Sequence, residues 1–296
     1  MKNVKKGHAC PVVCLDAGHY GKQNQSNAVP AFYESEINWK LHNLLADRLA
    51  DRGIQVVKTR KDAGKDLELT LRGKMAEDCD LFISMHVNAA ENSNANYVLG
   101  VHMVDDECGE IDQQSKDAAQ LLSNCVADIM GVKAECWTRK SSSDRDRNGY
   151  KDDYYGVLRG AHSVGTAAVI LEHGFYTNKA QANFLMDESN LCKLAEAEAK
   201  VIAQWFGIED SVEETVLIGN PYKLELISLR RGSRGMQVKI LQSLLITSGF
   251  SCGDCGGDGS FGPDTDRALK SYQEHFGLDV DGIAGPQTMG SLLGYR

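Results

Sequence analysis

No apolar run in the 296-residue chain approaches the roughly 20 residues that a membrane-spanning helix needs, which argues against membrane insertion. The basic start, MKNVKKGHAC, has no apolar segment behind it and does not read as a signal peptide. Synthesis in a cytosol is therefore expected, with any export by another route. Positive charge is in deficit: 32 Lys and Arg stand against 41 Asp and Glu, for a net charge of −9 and a pI near 5.4. A chain so acidic is a poor candidate for nucleic acid as its main partner. The nine cysteines are odd in number and scattered, with Cys14, Cys79 and Cys125 in apolar settings, so reduced thiols are expected. What remains is an ordinary apolar content of 42% in a length that suits one large domain and a small one.

The first two-thirds alternates between two periodicities. Short apolar runs at 12–15, 54–58, 81–85, 97–104 and 166–171 read as strands. Ile37, Leu41, Leu44, Leu45 and Leu49 follow helical spacing, and further helices are predicted over 67–76, 111–130 and 190–206. This alternation predicts an α/β domain over residues 10–207, with a mixed twisted sheet flanked by helices. An acidic stretch containing Gly219-Asn220-Pro221 follows, and 208–227 reads as a linker.

Residues 228–296 have another character. Asp258-Gly-Ser-Phe-Gly-Pro-Asp-Thr265 and Asp281-Gly-Ile-Ala-Gly-Pro-Gln-Thr288 form a half-repeat. In each copy a glycine turn precedes Gly-Pro, and proline suits the first position of a helix, where its missing N–H would have had no partner. Helices are predicted at about 235–247, 263–276 and 286–293, with Val238, Leu241 and Leu245 and then Leu269, Tyr272 and Phe276 as buried stripes. The segment is expected to be a small all-α domain of three helices.

Chemistry gathers in four stretches of the first domain. His19 follows the strand-like run 12–15, Glu34 and Glu36 open the first long helix, His86 follows 81–85, and Glu172 and His173 follow 166–171. In open α/β sheets ligands bind beyond the carboxyl ends of strands, so these residues share one edge. Two neutral imidazoles and a carboxylate suit a catalytic zinc ion with one position left open, and a further carboxylate can carry a proton from water to a leaving amine. Each residue alone also reads blandly, since a single histidine at a strand end is as readily a hydrogen-bonded surface group.

The motifs resemble those of the zinc-dependent N-acetylmuramoyl-L-alanine amidases that cut bacterial peptidoglycan. Leu15-Asp16-Ala17-Gly18-His19, Glu34-Ser35-Glu36-Ile37-Asn38, Asp80 to Asn88 and Leu171-Glu172-His173-Gly174-Phe175 match in order, with departures at Ala17, Tyr20 and Val87 that neighbour the ligands. The resemblance implies that His19, Glu34 and His86 bind one zinc ion and that Glu172 is the general base. Glu34 is preferred to Glu36 because it stands four residues before Asn38. Asn88, His173 and Arg159 are candidates for supporting or substrate contacts, and His102 for packing. The tail, from Leu229-Arg230-Arg231-Gly232 to Asp281-Gly282-Ile283-Ala284-Gly285-Pro286, resembles the three-helix peptidoglycan-binding domain, with an insertion at 251–256.

The resemblance implies zinc-dependent hydrolysis of the bond between N-acetylmuramic acid and L-alanine, on a wall to which the tail holds the enzyme. Peptidoglycan is the expected partner. A phage-type endolysin released through a holin is expected, with an autolysin acting in the mother cell as the competitor. A non-catalytic wall-binding protein and a zinc peptidase cutting within the stem peptide are the alternatives. Asp144 to Tyr155 begins like a calcium loop but ends in tyrosine where a glutamate is needed; the resemblance, through the family's similar Asn/Arg/Gly-rich stretch before Leu158-Arg159, implies a substrate-side loop instead. Cys252 and Cys255, with no second pair nearby, read as a redox pair or loop cysteines rather than a zinc site.

Overall fold

The computed structural model describes residues 3–5, 7–64, 66–103, 109–145, 151–208 and 228–293. The chain divides into two compact units, Met1–Glu209 and Asp210–Arg296. The linker expected at 208–227 lies outside the described residues except for Ile208, as do Asp146 and Asn148 of the calcium-like stretch.

In the first unit strands and helices alternate: β1 (Val12–Ala17), α1 (Glu34–Ala50), β2 (Gln55–Lys58), α2 (Leu69–Lys74), β3 (Leu81–Asn88), β4 (Tyr97–His102), α3 (Glu110–Met130), β5 (Lys133–Trp137), α4 (Gly156–His162), β6 (Ala167–Phe175), α5 (Lys179–Met186) and α6 (Glu188–Trp205). The six strands form one sheet in the order β2-β1-β3-β6-β4-β5. β2, β1, β3 and β6 run parallel, while β4 is antiparallel to β6 and carries β5 parallel to itself. The sheet is thus mixed, and its central strands bring three chain segments to one carboxyl edge.

Alternation along each strand sends side chains to two cores. Val13, Leu15, Ile83, Met85, Val169 and Leu171 face the layer that holds Leu41 and Leu45 of α1, Leu122 of α3 and Leu194 of α6. Cys14, Phe82, Ala168 and Ile170 face the other layer, with Ala76 beyond α2 and Val157, Leu158 and Ala161 of α4. Strands β3 and β6 run three or four residues beyond the apolar stretches that announce them, so His86 and Glu172 lie within strands rather than after them. Helix α2 is shorter than its pattern, with Leu69 and Leu71 exposed. β5, α4 and α5 were not legible: they have five to eight residues, too few for a period to stand out. Among the described residues no helix is long and apolar enough to cross a membrane.

The second unit contains α7 (Met236–Thr247), α8 (Pro263–His275) and α9 (Pro286–Leu292) around Leu229, Val238, Leu241, Leu245, Phe261, Leu269 and Tyr272. The half-repeat has a side-chain cause. Buried Gln242 of α7 donates to Asp258 Oδ1 at 2.8 Å, the Ser260 carbonyl at 2.9 Å and Thr265 Oγ1 at 3.0 Å, and accepts from the Gly259 N–H at 2.8 Å. Buried Gln273 of α8 repeats the set on Asp281, Ile283, Thr288 and Gly282 at 2.9, 3.0, 3.2 and 3.0 Å. In each copy one amide closes an Asp-Gly turn onto the first turn of the helix that follows.

Cysteine chemistry differs in part from expectation. Cys10, Cys14, Cys79, Cys125, Cys136 and Cys252 are free thiols; Cys252 lies in the loop between α7 and α8, buried in the core of the second unit, and is not half of a redox pair. Neither Cys192 nor Cys255 is a free thiol, each being engaged in a disulfide, so reduced thiols throughout do not hold.

Truncating either amide leaves several buried partners unsatisfied at once, at about 1–3 kcal/mol for each group stranded. Gln242→Ala and Gln273→Ala are each expected to destabilise the second unit by a few kcal/mol, on the order of 2–4. Calorimetry of the full chain checks this: the transition of the second unit should fall while that of the first stays in place.

Candidate metal centre and active site

The centre is assembled at the carboxyl edge of β1, β3 and β6. Register sets Asp16 beside Ser84, Ala17 beside Met85 and His86 beside Glu172. The Gly18 N–H continues the ladder onto the Met85 carbonyl at 2.9 Å. A Cβ on Gly18 would stand 2.4 Å from the His86 ring, so only glycine lets the β1 loop pass under that imidazole. The next residue, His19, takes a left-handed backbone with φ of 57°, uncommon outside glycine, and this turns its ring back over the strand ends.

Glu34 is the first residue of α1 and is buried. Its Oε2 is 3.3 Å from His19 Nε2, and its Oε1 is 3.0 Å from His86 Nδ1. The two imidazoles meet edge to face, with centroids 4.9 Å apart. One ligand atom from each of His19, Glu34 and His86 lies within 4.8 Å of the others, and no other such cluster occurs among the described residues. Glu36 is not part of it. Glu34 also accepts from the Val87 N–H at 3.0 Å, Asn38 Nδ2 at 3.2 Å and Asn24 Nδ2 at 2.6 Å. The Asn38 amide reaches the Gly18 carbonyl as well, at 3.3 Å, which accounts for its spacing from Glu34.

Electrostatics follow from this packing. Burial alone would raise the Glu34 carboxyl group, but the hydrogen bond and charge of His86 hold it down at about 2. His86 moves the opposite way: burial disfavours its charged form, yet the Glu34 carboxylate lifts it to about 9. His19 is lowered, chiefly by burial. A buried anion between two imidazoles is a donor set that fits a divalent cation, which would replace the proton that His86 now carries.

Glu172 is differently placed. Its Oε2 is buried and has no hydrogen-bond partner among the described residues. Burial pushes its carboxyl group up to about 7, with His86 opposing the shift and Glu34 adding to it. It is a carboxyl group close enough to the cluster to feel its charges, yet not bonded to it.

Of the remaining candidates, Asn88 turns its amide oxygen onto the Ala89 N–H at 2.8 Å. Arg159, on α4, donates to the Asp153 and Tyr154 carbonyls at 2.8 and 2.7 Å and so ties down that loop. Buried His102 has its Nδ1 2.8 Å from the Met103 carbonyl. His173 lies on the other face of the sheet. Two contributions were not read from the sequence. Asn24, whose Nδ2 is 3.1 Å from His19 Nε2 as well as bonded to Glu34, lies in a loop without periodicity. Beneath the cluster, buried Asp16 accepts from Thr59 at 2.6 Å and Ser84 at 2.7 Å and faces Arg72 at 3.7 Å. Asp16 sits in the quoted motif, but its partners come from three other elements.

Known proteins are similar to both units of the chain. Residues 13–204 match the N-acetylmuramoyl-L-alanine amidase family, and residues 234–292 match the peptidoglycan-binding domain family. The N-acetylmuramoyl-L-alanine amidase CwlL of Bacillus licheniformis is 35% identical over 124 residues, 42% of this chain and 33% of that protein. The endolysin of Bacillus phage SPP1 is 28% identical over 195 residues, 65% of each. The chain thus spans about a third of CwlL and under two-thirds of the phage protein. The solved catalytic domain of CwlV, an amidase from Bacillus (Paenibacillus) polymyxa var. colistinus, superposes with a TM-score of 0.54 at 24% identity, covering 67% of this chain and 99% of that one, and shares the fold. The first family match alone takes in well over half of the residues, and on that ground the protein belongs to the N-acetylmuramoyl-L-alanine amidase family.

Proposed function

We propose that the protein is a zinc-dependent hydrolase of bacterial peptidoglycan that cuts the amide between the lactyl group of N-acetylmuramic acid and L-alanine, and that the second unit holds it on the wall. The observation that carries this reading is the convergence of His19, Glu34 and His86 with Glu172 on the adjacent strand, a carboxyl group whose buried Oε2 has no hydrogen-bond partner among the described residues. His19, Glu34 and His86 would hold the ion. Bound there, zinc supplies Lewis acidity to the scissile carbonyl and makes water a better nucleophile near neutral pH.

The chain's own residues do the rest. Asn24 and Asn38 hold the Glu34 carboxylate in place, and Gly18 leaves room for the His86 ring. Glu172 accepts a proton from water as the water oxygen bonds to the lactyl carbonyl carbon. It then delivers that proton to the nitrogen of L-alanine as the C–N bond breaks, leaving a lactyl carboxylic acid and a free amine. A carboxyl group that titrates near 7 can serve in both directions, because its proton affinity lies close to the working pH. Association of a catalytic and a wall-binding unit raises the effective concentration of the site on a polymeric substrate. The endolysin and the spore cortex-lytic enzymes among the relatives support a lytic role.

Digestion of purified peptidoglycan by the intact chain, followed by mass spectrometry, tests the reaction. Intact stem peptides beginning with a free L-alanine amine are expected, and a chelator should abolish their release. Peptides cut within the stem would replace the amidase reading by a peptidase, and protein that pellets with the wall but releases nothing would leave a binding protein.

Glu172→Gln tests the proton carrier. Its turnover should fall by roughly 10²–10⁴-fold, the range for a lost general acid–base group. Zinc content and sedimentation with the wall should stay at wild-type levels, because the carboxyl group is not bonded to the cluster. A variant that keeps full turnover would exclude Glu172 from the proton path.

A further inference from the structure

Strands β3 and β6 change register at the site. His86 pairs with Glu172, but Asn88 pairs with Phe175, so β6 spends one residue more than β3 over the same span. The extra residue makes a β-bulge at His173-Gly174, and Gly174 takes the left-handed φ of 80° that such a kink requires. A bulge breaks the ladder and leaves a backbone group in need of a partner. Here the His173 ring stands in for the ladder, with Nδ1 3.1 Å from the carbonyl oxygen of His86. A carbonyl only accepts, so Nδ1 carries the hydrogen. On the far side of the ring, Nε2 is 3.2 Å from Oε1 of Glu198 on α6. Both side chains are fully buried. The other flank of the bulge is closed by Gln181, whose Oε1 accepts the Phe175 N–H at 2.8 Å.

This pair is an uneconomical way to fill a core. Glu198 lies between Ala195, Ala199 and Ile202, which belong to the apolar layer under the sheet. Its Oε2 is buried without a hydrogen-bond partner among the described residues. Half-satisfied buried charges are often matched or surpassed in stability by apolar residues of similar size. What leucine cannot do is hold the carbonyl of a residue whose own side chain belongs to the cluster. The sheet face explains the division of labour: His86 and Glu172 point to one side, and His173 to the other, where α6 can reach it.

We propose that His173 and Glu198 are positioning residues, a clasp from α6 through the bulge to the backbone of His86 that sets His86 and Glu172 face to face. The proposal rests on the amidase reading for the reaction it serves, but not for its metal-binding consequence. The imidazole restrains the backbone of a metal-binding residue, so losing it should loosen both the ion and the geometry of proton transfer. Losses of about 10–100-fold in metal affinity or activity are usual for groups that orient a ligand from behind.

The test uses the full chain with His173→Leu/Glu198→Leu, compared with Glu198→Gln and the wild type. Three quantities are read: thermal stability, zinc affinity by competition with a chromophoric chelator, and kcat and KM on a soluble muramyl peptide at saturating zinc. The double variant should be as stable as the wild type, bind zinc about 10-fold more weakly and lose about 10–100-fold in kcat with little change in KM. Glu198→Gln, whose side-chain N–H can donate to Nε2 of the Nδ1-protonated ring and so still tie it to α6, should recover most of both losses. Should the double variant fail to fold, Glu198→Ala carries the test with the same expected losses, since it frees the ring from α6 without touching the strand. Unchanged zinc affinity and kcat, or losses that follow stability and are not recovered by Glu198→Gln, would overturn the proposal. If the wild type itself leaves the muramyl amide intact, the amidase reading fails, while zinc affinity still decides the clasp.

Discussion

The buried carboxylate of Glu34 is the interaction on which the site depends. Taking a charge out of water is costly unless it is paired and hydrogen-bonded, and here the compensation comes from three segments. His19 arrives from the loop after β1, Asn24 from the same loop further on, Asn38 from the next turn of α1, and His86 with the Val87 N–H from β3. Each donor fixes one element against the others. The same set of contacts that makes the anion tolerable therefore gathers the groups that fit a cation, and the order of the first half of the unit follows from satisfying one side chain.

The sheet supplies the second requirement, that a carboxyl group stand near the cluster without joining it. Neighbouring strands with aligned register place His86 and Glu172 directly side by side. The bulge immediately beyond ends that register, while ordinary alternation along β6 carries Glu172 and His173 to opposite faces for different tasks. A regular strand would have continued the ladder and left no gap for an imidazole to fill. Asp16, clamped by Thr59, Ser84 and Arg72, gives the end of β1 a comparable stiffness from below. His86 and Glu172 rest on paired strands rather than on loops, and this suits a reaction whose groups must hold their distances.

In the second unit the same logic works with a neutral group. Gln242 and Gln273 each satisfy an Asp-Gly turn and the start of a helix with one amide, which lets about 60 residues hold together around a small core. The repeat visible in the sequence marks the turns, while the glutamines that close them sit in helices whose patterns give no hint of the role.

How much the sequence determined depends on the range of the interaction. Local patterns sufficed where the cause is local: apolar alternation marked β1, β3 and β6, helical spacing marked α1, α3 and α6, and Gly-Pro marked the starts of α8 and α9. His19, His86 and Glu172 follow apolar runs and Glu34 opens a helix, which marked a shared edge, and the resemblance of their motifs then implied their roles. Tertiary structure alone decided what joins them. It gave the physical reason for Glu34, already preferred through its spacing from Asn38: the first residue of α1 and not the third stands between the imidazoles. It brought in Asn24, Thr59, Arg72 and Glu198, residues distant in the chain and unmarked by any period. It also extended β3 and β6 past their apolar runs, since strand pairing is satisfied by backbone hydrogen bonds and does not need the side chains to be apolar. A sequence written along one dimension shows which groups a chain possesses, but the cost of burying a charge is met by neighbours in space, and those are assigned only when the sheet closes.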